Sequence, residues 1–289
     1  MGFVACGPSS LHRMIVNTQC HATTTRRLNA RKKSTYWLRP VLSAIVSERT
    51  AATPAASVKQ PSWTLVVAAV VVVLMISNAM SNRGLPASLY VPWNLGITVV
   101  VYALGRTRLA PVEMGFAEWR RGVAFGLVLI VATAVVMLVA VVMPAFHELY
   151  EDRRVDESVA SMLYQVVVRI PLGTALLEEV AFRGVLPALL AVRVGVMRGC
   201  IIASVLFGLW HVLPALSLNE VNPVATDVFG AGAGGTIAAV VFAVIGTTVA
   251  GFWFCWIRYR ARSVVATIIA HIGSNSIGYT IAYFVVRSG

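Results

Sequence analysis

Charge is scarce in this sequence. Of 289 residues only 12% are Asp, Glu, Lys or Arg, and just 12 are acids. A soluble domain carries about twice that charged share, so this chain cannot cover itself with a water-facing surface. Lysine is nearly missing, with three against 21 arginines. Cysteine is rare too: Cys6, Cys20, Cys200 and Cys255 stand far apart, and no CxxC occurs. That excludes a disulfide framework or a zinc ribbon, and leaves Cys200 and Cys255 as small apolar residues. There is no zinc-finger spacing, no RNA-recognition signature and no HExxH. The Gly-rich stretch FGAGAGG, 229–235, lacks the flanks of a phosphate loop and reads as a flexible connector. The net charge of +12 is therefore not read as nucleic-acid binding.

What the chain does have is apolar length. Hydrophobic residues make up 58%, and mean hydropathy is +0.77. Seven apolar segments follow one another: Trp63–Met80, Leu85–Gly105, Gly122–Phe146, Pro171–Val192, Val196–Leu218, Thr236–Ile257 and Ser263–Val286. Each comes close to the roughly 20 residues that cross a bilayer. Ser158–Ile170 reads as a separate amphipathic lead-in to the fourth. The expectation is an all-α polytopic membrane protein with about seven transmembrane helices. Residues 1–62 stand apart, with nine Lys or Arg and one acid, Glu48. They read as a mostly disordered basic tail, with a targeting segment or a start assigned too early as alternatives. The transmembrane domain is then 63–289.

The arginines give the orientation. The tail and alternate connections, with Arg106, Arg108, Arg120, Arg121, Arg193, Arg198, Arg258, Arg260 and Arg262, collect 18 positive residues. The other connections hold four: Arg83, Arg153, Arg154 and Arg287. Basic loops stay cytoplasmic, which puts the N-terminus inside and the C-terminus outside.

Against this background the ionisable groups inside the apolar segments stand out. The fourth segment holds Glu178, Glu179 and Arg183, the fifth His211, and the seventh His271 with Asn275. A charged residue in a span costs about 2.5–3.5 kcal/mol on insertion scales, so such groups face the interior and mark function. Glu178, His211, His271 and Asn275 fall at overlapping depths, about 12–22 Å below the cytoplasmic boundary at 1.5 Å per residue. Glu179 and Arg183, four apart, stack on one helix face. Glu178, rotated by about 100°, points elsewhere. His271 and Asn275 share a face by the same spacing, as do Phe207 and His211. Arg169 reads as a snorkelling or headgroup-contacting residue.

EExxxR at 178–183, FxxxH at 207–211 and HxxxN at 271–275, in this order on separate apolar segments, form a recognisable set. They resemble the CAAX protease and bacteriocin-processing enzyme family, which includes Rce-type prenyl-protein endopeptidases and bacterial Abi proteins. The likeness spans about residues 171–280. It implies an intramembrane endopeptidase acting on a membrane-associated or lipidated protein or peptide. It further implies that Glu178 and His211 activate water and that His271 and Asn275 stabilise the oxyanion. Glu179 and Arg183 would organise the first motif. No cofactor is favoured; the competing reading is zinc held by Glu178, His211 and His271.

Two other readings stay open. One is an ion- or proton-coupled transporter built on the same buried groups, although the inverted repeats of such proteins are not visible. The other is a non-catalytic membrane scaffold or immunity factor. The expected partners are a membrane protein or peptide and the bilayer, with no nucleic acid. The excess of Arg over Lys points to a GC-rich genome and a bacterial plasma membrane.

Overall fold

The computed structural model describes residues 61–151, 155 and 158–288. The expected basic tail, except for its last two residues, lies outside the described residues. Among the described residues every regular element is helical. Seven long helical paths follow the chain. They are α1 (Trp63–Ala79), α2 (Tyr90–Arg106), α3 (Trp119–Val142), α4 (159–194), α5 (Val196–Trp210), α6 (Gly232–Ala261) and α7 (Val264–Ser288). Six of them, all but α4, are long and apolar enough to cross a membrane once α1, α2 and α5 are taken with their flanking turns, as Trp63–Gly84, Ala87–Arg106 and Val196–Ala215.

Local chemistry explains the boundaries. The valine-rich run of α1 is helical although Val disfavours helix in water, because a backbone in lipid must satisfy its own hydrogen bonds. Ser62 caps it, with the hydroxyl accepting from the Leu65 amide at 3.2 Å. α4 and α5 are separated by one residue, Gly195, whose φ of 83° reverses the chain. α6 ends at Arg262, which adopts the left-handed conformation and turns the chain into α7.

α4 departs from expectation in two ways. Its 18-residue windows across the first motif carry Glu178, Glu179 and Arg183, too many charges to count as an apolar span. The path tolerates them because neighbouring helices enclose it. Its residues from Leu177 to Leu189 are all buried, and they pack with Val66, Val70 and Leu74 of α1, Val101 of α2 and Phe207 of α5. Nor is Ser158–Ile170 a separate lead-in. The helical path runs unbroken from Val159 through a π-helical stretch, Gln165–Ala175, into the motif. That stretch contains Pro171, which has no N–H to donate and would clash with an ordinary α turn. The wider π turn absorbs it, and a second π turn, Val180–Val185, carries Arg183.

α3 and α6 form the lipid-facing flank. Only 6% and 11% of their apolar windows are buried, with Val128, Val136, Val241 and Phe242 exposed. With no water to expel between helices in lipid, close packing has to join them to the rest. Gly126 of α3 supplies one such contact, since a Cβ there would meet Ile269 of α7 at 2.6 Å. Gly208 of α5 supplies another, since a Cβ would overlap the Thr248 hydroxyl of α6. Gly208→Leu is therefore expected to cost about 1–3 kcal/mol through overpacking. Thermal unfolding in detergent should show the loss, whereas Gly246→Leu, at an open position on the same flank, should not.

Side-chain and backbone hydrogen bonds tie the two ends of the bundle. At one end the Trp63 indole donates to the Leu189 carbonyl at 2.8 Å, the Val264 amide to Gly115 O at 2.9 Å, and Arg121 to Arg260 O at 3.2 Å. At the other, Ser81 donates to Asn94 Oδ1 at 3.0 Å and Asn222 to Leu149 O at 3.2 Å.

Candidate active site

The first motif is split by its own helix. Glu179 is fully buried and Arg183 nearly so, and their charged groups lie 3.0 Å apart. The Arg183 guanidinium also sits over the Phe207 ring at 3.9 Å and the Phe254 ring at 5.1 Å. An arginine stripped of water is thus held by one carboxylate and two aromatic faces. Glu178, one residue earlier, faces a cavity instead. Its Oε1 accepts from the Trp210 indole N–H at 3.0 Å. Its Oε2 has no hydrogen-bond partner among the described residues.

That cavity has a volume of about 570 Å³ and a largely polar wall. Glu178, His211, Asn275, Arg169, Tyr90 and Asn94 line it, drawn from α2, α4, α7 and the chain just beyond α5. His211 sits at the end of α5, where its Nδ1 contacts the Phe207 carbonyl at 2.8 Å. A carbonyl only accepts, so Nδ1 carries the proton and Nε2 is the ring nitrogen left for chemistry. The Phe207 ring packs edge-on against the imidazole, with centroids 4.6 Å apart. The Ser274 hydroxyl gives its one proton to the His271 carbonyl at 3.0 Å, and the amide NH₂ of Asn275 is a donor on the cavity wall.

His271 is placed differently from Asn275. It is buried and does not line the cavity. Its Nδ1 lies 2.7 Å from Glu179 Oε1, and its Nε2 lies 3.9 Å from Glu178 Oε2. It stands between the two glutamates as a link from the buried ion pair to the cavity carboxylate. The expected His271–Asn275 donor pair is therefore divided, with only the asparagine on the cavity wall.

Residues 160–277, which contain every group just described except Tyr90 and Asn94, match the family described as type II CAAX prenyl endopeptidase Rce1-like. The chain carries an Rce1-like domain. No curated protein and no solved structure matches the chain. The Rce1-like match takes in α5 and nearly all of α4, and stops inside α7; α1, α2 and α3 lie outside it. The family is one of proteases, and the apolar helices make this a multi-pass membrane protein.

The zinc set, Glu178, His211 and His271, does not converge in the Rce1-like domain. Among the described residues no group of three His, Cys, Asp or Glu side chains is placed to hold a metal. The Nδ1 atoms of both histidines are already engaged, and His271 Nε2 faces Glu178 rather than the cavity.

The sequence reading did not assign Trp210 or Arg169 to the cavity. Trp210 positions Glu178, and its signal was adjacency to His211 in FGLWH. Arg169 lines the cavity. It donates to Gln165 at 3.2 Å and stacks on Tyr90 at 4.3 Å, with no carboxylate in ion-pair range among the described residues. Its signal was an arginine on the same helical path, nine residues before Glu178.

Proposed function

We propose that the protein is an intramembrane endopeptidase in which Glu178 is the general base. The observation that carries this reading is a polar cavity between apolar helices whose lining includes Glu178, His211 and Asn275. The Glu178 carboxylate takes a proton from water, and His211 Nε2 holds that water by accepting its second hydrogen. The water oxygen adds to the substrate carbonyl. The Asn275 NH₂ donates to the resulting oxyanion. The Glu178 proton then passes to the leaving amine as the C–N bond breaks. His271 acts through Glu178, bridging it to the Glu179–Arg183 pair. Arg169 offers a cation to an acidic group on the bound peptide. The substrate is a membrane-associated protein or peptide, and the setting is a bacterial plasma membrane.

Trp210→Phe removes the indole donor to Glu178 Oε1 and keeps an aromatic ring. A hydrogen bond to a charged group contributes about 1.5–3 kcal/mol, so kcat should fall about 10- to 100-fold while KM changes little. A KM rise with unchanged kcat would place Trp210 in substrate binding instead. The function itself is tested by comparing membrane proteomes of cells carrying the wild-type chain or Glu178→Gln. New peptide termini should appear with the wild type alone. Identical termini in both would count against hydrolysis.

A further inference from the structure

The cavity lies toward one end of the bundle, and the two ends differ sharply in charge. Six of its lining residues mark the end: Ser81, Asn82, Tyr90, Asn94, Arg169 and Ser217. They belong to the α1–α2 turn, the start of α2, the early part of α4 and the chain beyond α5. This is the end where Asn222 reaches Leu149 and Glu151 and where Ser81 reaches Asn94. The opposite end is where Trp63 meets Leu189 and Arg121 meets Arg260. Arg106, Arg108, Arg120, Arg121, Arg193, Arg198, Arg258, Arg260 and Arg262 all belong to that opposite end. The cavity end carries Arg83, Arg169 and Arg287 against Glu148, Glu151, Glu220 and Asp227 among the described residues, three cations against nine at the other end.

Short basic connections are retained on the cytoplasmic side of a membrane, whereas acidic residues exert little pull. We infer that the cavity opens away from the cytoplasm, so that the peptide it takes is presented from the outer face. The partner class is then an outward-facing segment of an exported or membrane-inserted protein. The direction of opening follows from side-chain placement and charge. Calling the occupant a peptide substrate rests on the proposed endopeptidase activity.

The test reads direction without needing activity. The full-length chain, with its four cysteines replaced by alanine, receives one new cysteine at a time: Ser217→Cys or Asn82→Cys at the cavity, or Arg193→Cys at the basic end. Intact spheroplasts are treated with a membrane-impermeant maleimide. Full labelling of Ser217→Cys and Asn82→Cys and none of Arg193→Cys, which labels only after permeabilisation, is the expected result. The reverse pattern overturns the inference, and so does a cavity cysteine unlabelled both before and after permeabilisation. If labelling is as expected but every new peptide terminus in the proteome comparison lies in a cytoplasmic segment, the partner class is wrong. If no new terminus appears, the endopeptidase reading fails while the opening stands.

Discussion

Glu178→Gln should abolish cleavage while leaving the fold intact. The substitution keeps the shape of the side chain and keeps an oxygen to accept from the Trp210 indole. It removes the one thing the proposed chemistry needs there, a group that accepts a proton and returns it. A positioned general base contributes about 10²–10⁴ in rate, so turnover should fall by at least that range. Glu178 faces the cavity and has no partner in the buried ion pair, so thermal unfolding should shift little. Cleavage and melting measured on the same preparation check both halves. Normal turnover in the variant would remove Glu178 from the mechanism.

Arg183→Ala should fail in the opposite way. The guanidinium is 1% exposed, faces the fully buried Glu179 carboxylate at 3.0 Å, and lies over two aromatic rings. Removing it leaves a carboxylate uncompensated in an apolar interior and opens a void beside Phe207. Breaking a buried pair from one side costs about 3–5 kcal/mol, a large share of the stability of any domain. Expression yield and melting temperature should both drop steeply. The double change Glu179→Gln with Arg183→Met should recover much of the stability, because no charge is then stranded. A single Arg183→Ala variant that melts like the wild type would show that the pair carries little of the fold.

The contrast between these two variants comes from features of unequal legibility. Six apolar spans could be read from the chain because lipid permits few solutions other than a helix for an uncharged run of that length. The fourth was harder. Gln165, Arg169 and Pro171 interrupt its pattern, and the π turns that keep it continuous leave no periodic signature. The spacing of Glu179 and Arg183 gave their shared face, since both sit on one helix. His271 shows the limit of such reasoning. Helical spacing puts it on a face with Asn275, yet its partner, Glu179, comes from another helix and depends on how α7 is rotated against α4. Arg169 fails for the same reason, because the ring it stacks on belongs to α2.

The central claim is that a carboxylate in the cavity, rather than a bound metal, activates the water. The most direct measurement is peptide cleavage, followed by mass spectrometry, by the full-length protein in vesicles after exhaustive chelation, with metal content determined on the same sample. The account predicts substoichiometric metal and undiminished cleavage in the chelated sample, lost on Glu178→Gln. Stoichiometric zinc before treatment, with cleavage that disappears on chelation and returns with zinc, would contradict it.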